Sequence, residues 1–296
     1  MTQSIGVAGF GVYLPEARLS GAEIARLSGL PEWVVLEKLG VRAKPLPGPE
    51  DHPTAMGVWA AERALAAAGM GADELDVVIS ITEEYKDYPV WTAGIKLAYD
   101  LGARRAYAYD LGQKCGTGVL ALKQARDLLV ADERVNAVLV AGGYRNGDLI
   151  TFGDPSLRFM YSLGAGGAAA VVTRQGRHRI LASSIRTDGS FSLDVRVPVG
   201  GTREPLTAEN AERYRLEVPD PEGMKARLEA KSLRTFLVVV REAVARSGYG
   251  PSDIAYLAML HVKPSAHRYL LRELGLGEGQ SVHLADYGHI GQVDQF

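Results

Sequence analysis

One cysteine in 296 residues excludes an intrachain disulfide and any multi-cysteine metal site. It leaves Cys115 as either a small buried hydrophobe or a reactive thiol. No apolar run approaches the roughly 18 residues that would span a bilayer. The opening stretch "MTQSIGVAGFGVYLPEARL" has neither the basic start nor the continuous apolar core of a signal peptide, so a cytoplasmic, membrane-free protein is expected. Neither charge sign dominates: 33 basic residues are scattered among 35 acidic ones for a net charge of -2. With no basic stripe, nucleic acid is not an expected partner. What the chain does have is 47% hydrophobic residues, ample for a sizeable core in one large domain or two ordinary ones.

Apolar runs rich in Val, Ile and Ala alternate with helical patterns, which points to α/β layering with strands buried on both faces. "DVVISIT" (76–82), "AYAYDL" (106–111), "NAVLVAGGY" (136–144) and "GAAAVVTR" (167–174) read as strands. Residues 54–69, 90–102 and 116–132 read as helices, most of them closing on Gly or a charge cluster. The stretch 186–231, with Gly, Pro and many charges, reads as a surface excursion of loops and short elements.

An internal repeat organises the rest. "ERALAAAGMGADELDVVISIT" (62–82) lies without a gap on "REAVARSGYGPSDIAYLAMLH" (241–261), Gly69 on Gly248 and Gly71 on Gly250. Both copies read as helix, glycine stop, acidic turn and buried strand. "YAYDLGQKCGTG" (107–118) similarly resembles "VHLADYGHIGQV" (282–293), each a strand followed by a glycine turn. Two matches in the same order imply a duplicated α/β unit, with halves at 1–175 and 176–296. After its turn the first half supplies two more strands, whereas only "GQVDQF" follows "YGHI". The C-terminal half is therefore expected to be incomplete, its last strands absent. In such a duplication the strand ends face each other, so Cys115 would meet His261 and His289.

Cys115 follows a strand and opens a helix, where unpaired N–H groups and the helix dipole favour a thiolate and can hold an oxyanion. His261 ends an apolar strand, where ligands commonly bind in α/β proteins. His289 sits in a glycine-flanked turn that allows close approach. Taken singly, a packed cysteine, a strand-end histidine and a surface turn histidine are the ordinary readings. Together, the three form a specific set.

These residues resemble motifs of the thiolase superfamily, most closely its 3-oxoacyl-(acyl-carrier-protein) synthase III branch. "IGVAGFGVYLPEARLSGAEIA" is similar to that family's opening and "EWVVLEKLGVRAKPL" to its Trp-then-Gly-Ile-Arg segment. "AYDLGQKCGTGVLAL" resembles its cysteine motif, and "TDGSFSLDVRVPVGG" its mid-chain loop. "AMLHVKPSAH" stands in the place of Pro-His-Gln-Ala-Asn, and "YGHIGQ" in that of Tyr-Gly-Asn-Thr-Ser. The resemblance implies a layered αβαβα thiolase-like fold and a homodimer. The implied enzyme is an acyltransferase of fatty acid or related acyl biosynthesis.

On this resemblance Cys115 takes an acyl group from a coenzyme A or acyl-carrier-protein thioester. A malonyl or acetyl thioester then becomes an enolate and attacks it, forming a carbon–carbon bond. His261 would steady the enolate oxygen, and Trp33 and Arg42 match coenzyme A contacts, against the ordinary readings of a helix-packing Trp and a solvated Arg. No tightly bound cofactor and no metal are implied; coenzyme A or phosphopantetheine thioesters enter as substrates. The sequence departs from the family at several places: "YSLGAGGAAAVV" only partly matches its Phe-Gly-Asp-Gly-Ala-Gly pattern, its closing glycine-rich loop is expected in the absent C-terminal segment, and two departures fall at candidate site residues. His289 replaces its Asn, giving Cys-His-His. Glu83 stands where the hydroxymethylglutaryl-coenzyme A synthases carry a catalytic Glu after a Thr, so it is a candidate acid/base for a synthase-like or thiolase-like acetyl condensation. Its ordinary reading, favoured by the neighbouring Glu84 and Asp87, is an exposed loop acid. A non-catalytic acyl-binding paralogue is the remaining alternative.

Overall fold

The computed structural model describes residues 5–296. The strands are β1 (Gly6–Tyr13), β2 (Arg18–Ser20), β3 (Ala43–Pro45), β4 (Val77–Ser80), β5 (Tyr107–Asp110), β6 (Ala137–Tyr144), β7 (Gly166–Thr173) and β8 (His178–Arg179). The helices are α1 (Gly21–Ser28), α2 (Pro53–Ala68), α3 (Ala93–Leu101), α4 (Thr117–Ala131), α5 (Pro221–Arg246) and α6 (Pro264–Leu274). Six strands form one mixed sheet in the order β5-β4-β6-β7-β1-β8, while β2 and β3 pair apart from it. β4 runs parallel to β5 and β6, and β7 is antiparallel to both β6 and β1.

The near-continuous apolar run of β6 is buried along its whole length, as a strand covered on both faces must be. Alternate residues serve opposite layers. Val78, Leu139, Ala141 and Val171 pack with α2 and α3, whereas Val77, Ile79, Val138 and Val140 pack with α4. α2 lies so close to the sheet that small residues are required. A Cβ on Gly11 would sit 2.4 Å from the Ala60 carbonyl oxygen, and one on Gly143 2.3 Å from that of Pro53. A further cluster, with Val35, Tyr144, Leu157 and Ile290, joins α1 and the 144–163 segment to the C-terminal residues.

The strands and helices expected in the first half form at the expected places. The repeat is visible in local geometry as well. The Gly71 amide donates to Glu74 Oε1 and the Gly250 amide to Asp253 Oδ2, both at 2.8 Å, each opening one short 3-10 turn. Gly69 and Gly248 each end a helical segment at positive φ.

Two expectations fail. The segments around 255–260 and 282–286 are not strands, and Ala255, Tyr256 and Ala258 are exposed. The physical reason lies in the ladder: β4 is hydrogen-bonded to β6 on one side and β5 on the other, but within residues 5–296 no counterpart of β6 lies beside 255–260. Only the Leu257 amide, donating to the Gln280 carbonyl at 2.8 Å, begins such a pairing. The excursion expected over 186–231 ends ten residues early, because Asp220 caps the Gly223 amide at 2.9 Å and Pro221 opens the 26-residue α5.

Candidate active site

Cys115 lies between β5 and α4, in the short 3-10 turn Lys114–Gly116 that feeds the helix. Thr117 fixes this turn: its Oγ1 accepts from the Gln113 amide at 2.7 Å and donates to the Lys114 carbonyl at 2.6 Å. Lys114 adopts φ of +50°, an uncommon conformation for a non-glycine residue. A turn held this way presents the sulfur at the head of the helix and not along its flank.

The second half delivers His289 to that sulfur. The His289 amide donates to the Ser162 carbonyl at 2.8 Å, and its own carbonyl accepts from the Gly164 amide at 2.9 Å. Gly288 at φ +64° and Gly291 at φ +57° bend the chain on either side. The wholly buried Gln292 donates from Nε2 to the Ile81 carbonyl at 2.8 Å, fastening the turn into the first half. Gly118 leaves room for it, since a Cβ there would lie 2.7 Å from the Gln292 carbonyl oxygen. His289 Nε2 consequently sits 3.1 Å from Cys115 Sγ.

On its other side, His289 Nδ1 lies 2.5 Å from Oδ2 of Asp294, whose side chain has no solvent exposure. Asp294 is held in turn by the amides of His261 at 2.7 Å and Ile290 at 2.6 Å. Burial by itself pushes the His289 pKa down, but the Asp294 carboxylate and the Cys115 sulfur outweigh it and hold it well above the ordinary imidazole value.

His261 reaches this network through its backbone. Its ring is buried, and Nε2 donates to the Gly40 carbonyl at 3.2 Å. Burial, helped by His283 and His289, pulls its pKa to about 4, so it is neutral at pH 7. Glu83 corrects the sequence reading: it is not an exposed loop acid but 4% exposed, its Oε2 accepting from Asn146 Nδ2 at 2.8 Å. The loop folds inward, and burial pushes the Glu83 carboxyl up despite Lys114 and Asn146. Trp33 is 53% exposed. Arg42 is exposed but not free, its Nε donating to Asp286 Oδ1 at 2.7 Å. A cavity of about 1040 Å³ opens at Cys115, walled by Gly116, Val119, Ile185, Leu228 and Met259 among others.

Sequence reasoning missed Asp294, Asn146 and Gln292. For Asp294 a signal was present, an acid five residues beyond His289 in "HIGQVD". The other two become visible only once the halves are docked. Among the described residues no group of His, Cys, Asp and Glu is arranged to hold a metal ion, and no helix is long and apolar enough to cross a membrane.

Residues 109–189, which include the cysteine turn, match the profile of 3-oxoacyl-[acyl-carrier-protein (ACP)] synthase III. The chain is 28% identical over 280 residues to the 3-oxopimeloyl-[acyl-carrier-protein] synthase of Rhodothermus marinus, covering 95% of this chain and 80% of that protein. It is also 28% identical to the beta-ketoacyl-[acyl-carrier-protein] synthase III of Granulibacter bethesdensis, over 87% of this chain and 76% of the other. The crystal structure of 3-oxoacyl-[acyl-carrier-protein] synthase III from Aquifex aeolicus superimposes with a TM-score of 0.82 at 22% identity, covering 98% of this chain and 88% of that one. In fold the chain is similar to 3-oxoacyl-(acyl-carrier-protein) synthase III structures of the thiolase-like type, and its cysteine turn lies within the segment that matches their profile.

Proposed function

We propose that the chain is an acyltransferase that joins an acyl group carried on Cys115 to a malonyl or acetyl thioester by Claisen condensation. The observation that carries this reading is Cys115 Sγ at the head of α4, 3.1 Å from His289 Nε2. A sulfur paired with an imidazolium attacks the thioester carbonyl, and the helix-terminal N–H groups steady the oxyanion. His289 hands its proton to the departing thiol. His261, neutral at pH 7, then donates to the enolate oxygen of the second thioester. Its 3.2 Å bond to Gly40 is long enough to exchange cheaply for that one.

Coenzyme A or a carrier-protein phosphopantetheine would bring the acyl groups. Trp33 offers an exposed face for adenine stacking, and Arg42 offers a cation to a phosphate that competes with Asp286. The division at 1–175 and 176–296 is supported by the repeated glycine turns, and a cytoplasmic homodimer by the family resemblance.

Intact-mass spectrometry after mixing with a panel of acyl-coenzyme A thioesters tests the reading. One acyl mass should add to the wild type and none to Cys115→Ala, and malonyl-coenzyme A should then discharge it as a 3-oxoacyl product. Failure of any thioester to load Cys115 sinks the proposal. Glu83→Gln separates the condensation types: small loss fits decarboxylation of a malonyl group, whereas abolished turnover means Glu83 removes a proton from an acetyl thioester.

A further inference from the structure

The chain places an imidazole, backed by a buried carboxylate, where the resemblance calls for no more than a hydrogen-bond donor. Cys115 Sγ, His289 Nε2 and Nδ1, and Asp294 Oδ2 form a continuous line of contacts at 3.1 and 2.5 Å. This is the nucleophile, base and orienting-acid arrangement of acyl-transfer hydrolases. The amide at the His289 position in the resembling family can donate a hydrogen bond but cannot take up a proton. An imidazole can, and Asp294 decides which nitrogen does so. With the Nδ1 proton fixed on the buried carboxylate, neutral His289 turns an Nε2 lone pair toward the sulfur.

We propose that the acyl group on Cys115 is also passed to a hydroxyl nucleophile, water or an alcohol, with His289 as general base and Asp294 as its positioning residue. The proposal rests on the reading that Cys115 is acylated. In the first step the Cys115 sulfur bonds to the acyl carbon, the bond from that carbon to the thioester sulfur breaks, and the His289 Nε2 proton leaves with the released thiol. His289 is then neutral, its lone pair facing the acyl sulfur. In the second step Nε2 takes the proton of an O–H group and the oxygen bonds to the acyl carbon. The carbon–sulfur bond breaks, and Cys115 departs as a thiolate beside the re-formed imidazolium. The resting pair is regenerated, and the products are a free thiol and an acid or ester. Decarboxylation needs no base, so in a malonyl condensation His289 and Asp294 have no proton to remove once Cys115 is acylated. The cavity at Cys115 leaves the acceptor a way in.

The test loads wild type, His289→Asn and Asp294→Asn with acetyl- and octanoyl-coenzyme A and no second thioester. Thiol release is followed together with the mass of the acyl-enzyme, with and without ethanol as the alcohol probe. The wild type should release many equivalents of thiol, and its adduct should decay about 100-fold faster than that of His289→Asn. Acid alone as product identifies water as the acceptor; ethyl ester in the ethanol arm identifies an alcohol-accepting site. Asp294→Asn should lengthen the adduct lifetime and move the pH profile of its decay to lower pH, which a purely structural role would not do. One equivalent of thiol released, with a wild-type adduct as durable as that of His289→Asn, overturns hydroxyl transfer and leaves Cys115 acylation standing. Neither thiol release nor adduct on the wild type overturns both.

Discussion

Replacing Asp294 by Asn preserves the side chain's shape but keeps an oxygen for only one of the His261 and Ile290 amides, which donate to different carboxylate oxygens, and removes the charge that faces His289 Nδ1 at 2.5 Å. The contact is a charge-assisted hydrogen bond with no solvent exposure on the carboxylate, a class contributing about 1.5–3 kcal/mol. Since about 1.4 kcal/mol is a factor of ten, the protonated form of His289 should lose a roughly 10- to 100-fold advantage over the neutral one. The assay is the rate of iodoacetamide alkylation of this single thiol, read by intact mass between pH 6 and 8. In the wild type His289 keeps its proton well above pH 6.5, so the imidazolium beside the sulfur persists and alkylation stays fast across the range. In Asp294→Asn, His289 gives up its proton within that range and the rate falls. An Asp294→Asn protein that alkylates at the wild-type rate with the wild-type pH profile would refute the account of the pair.

Gly118→Ala should destabilise the protein by about 1–3 kcal/mol through overpacking, because its Cβ would lie 2.7 Å from the Gln292 carbonyl oxygen. Helix propensity alone predicts the opposite sign, about 1 kcal/mol of stabilisation, so the thermal midpoint decides. His261 has a folded pKa of about 4, below its unfolded value, so between pH 4 and 6.5 the unfolded chain binds more protons and stability rises with pH. Acidification from pH 7 to 4 should therefore cost about 3 kcal/mol in urea unfolding, and His261→Gln should remove that part of the slope. Glu83 is shifted the other way by burial: the folded state keeps its proton above the ordinary carboxyl value, so its contribution falls as pH rises. Glu83→Gln should raise the denaturation midpoint at pH 8 and leave it nearly unchanged at pH 5.

Local patterns carried the first half. The alternation of apolar strands and helices, and the glycine stops at Gly69 and Gly248, follow from backbone conformation and short-range burial, and they were legible residue by residue. So was Cys115, because a strand, a glycine turn and a helix start are contiguous in sequence. The two segments at 255–260 and 282–286 misled for the same reason. They carry strand-like composition, but a strand exists only when a neighbour supplies its ladder, and that neighbour is a tertiary fact.

Glu83 and Asp294 mark the division most clearly. By charge and neighbours Glu83 reads as a solvated acid and Asp294 drew no reading at all, since sequence gives ionisation but not desolvation. The inward fold of the 83–87 loop buries Glu83. The seating of Gln292 between Ile81 and Gly143 carries His289 and Asp294 across to Cys115. Sequence by itself determined the α/β layering, the duplication and the cysteine at a helix head, because each depends on residues close along the chain. Only the tertiary structure decided which histidine meets the thiol and which acid stands behind it. The first contact joins residues about 175 positions apart, the second residues only five apart, and the energies of both come from the exclusion of water where the two halves close.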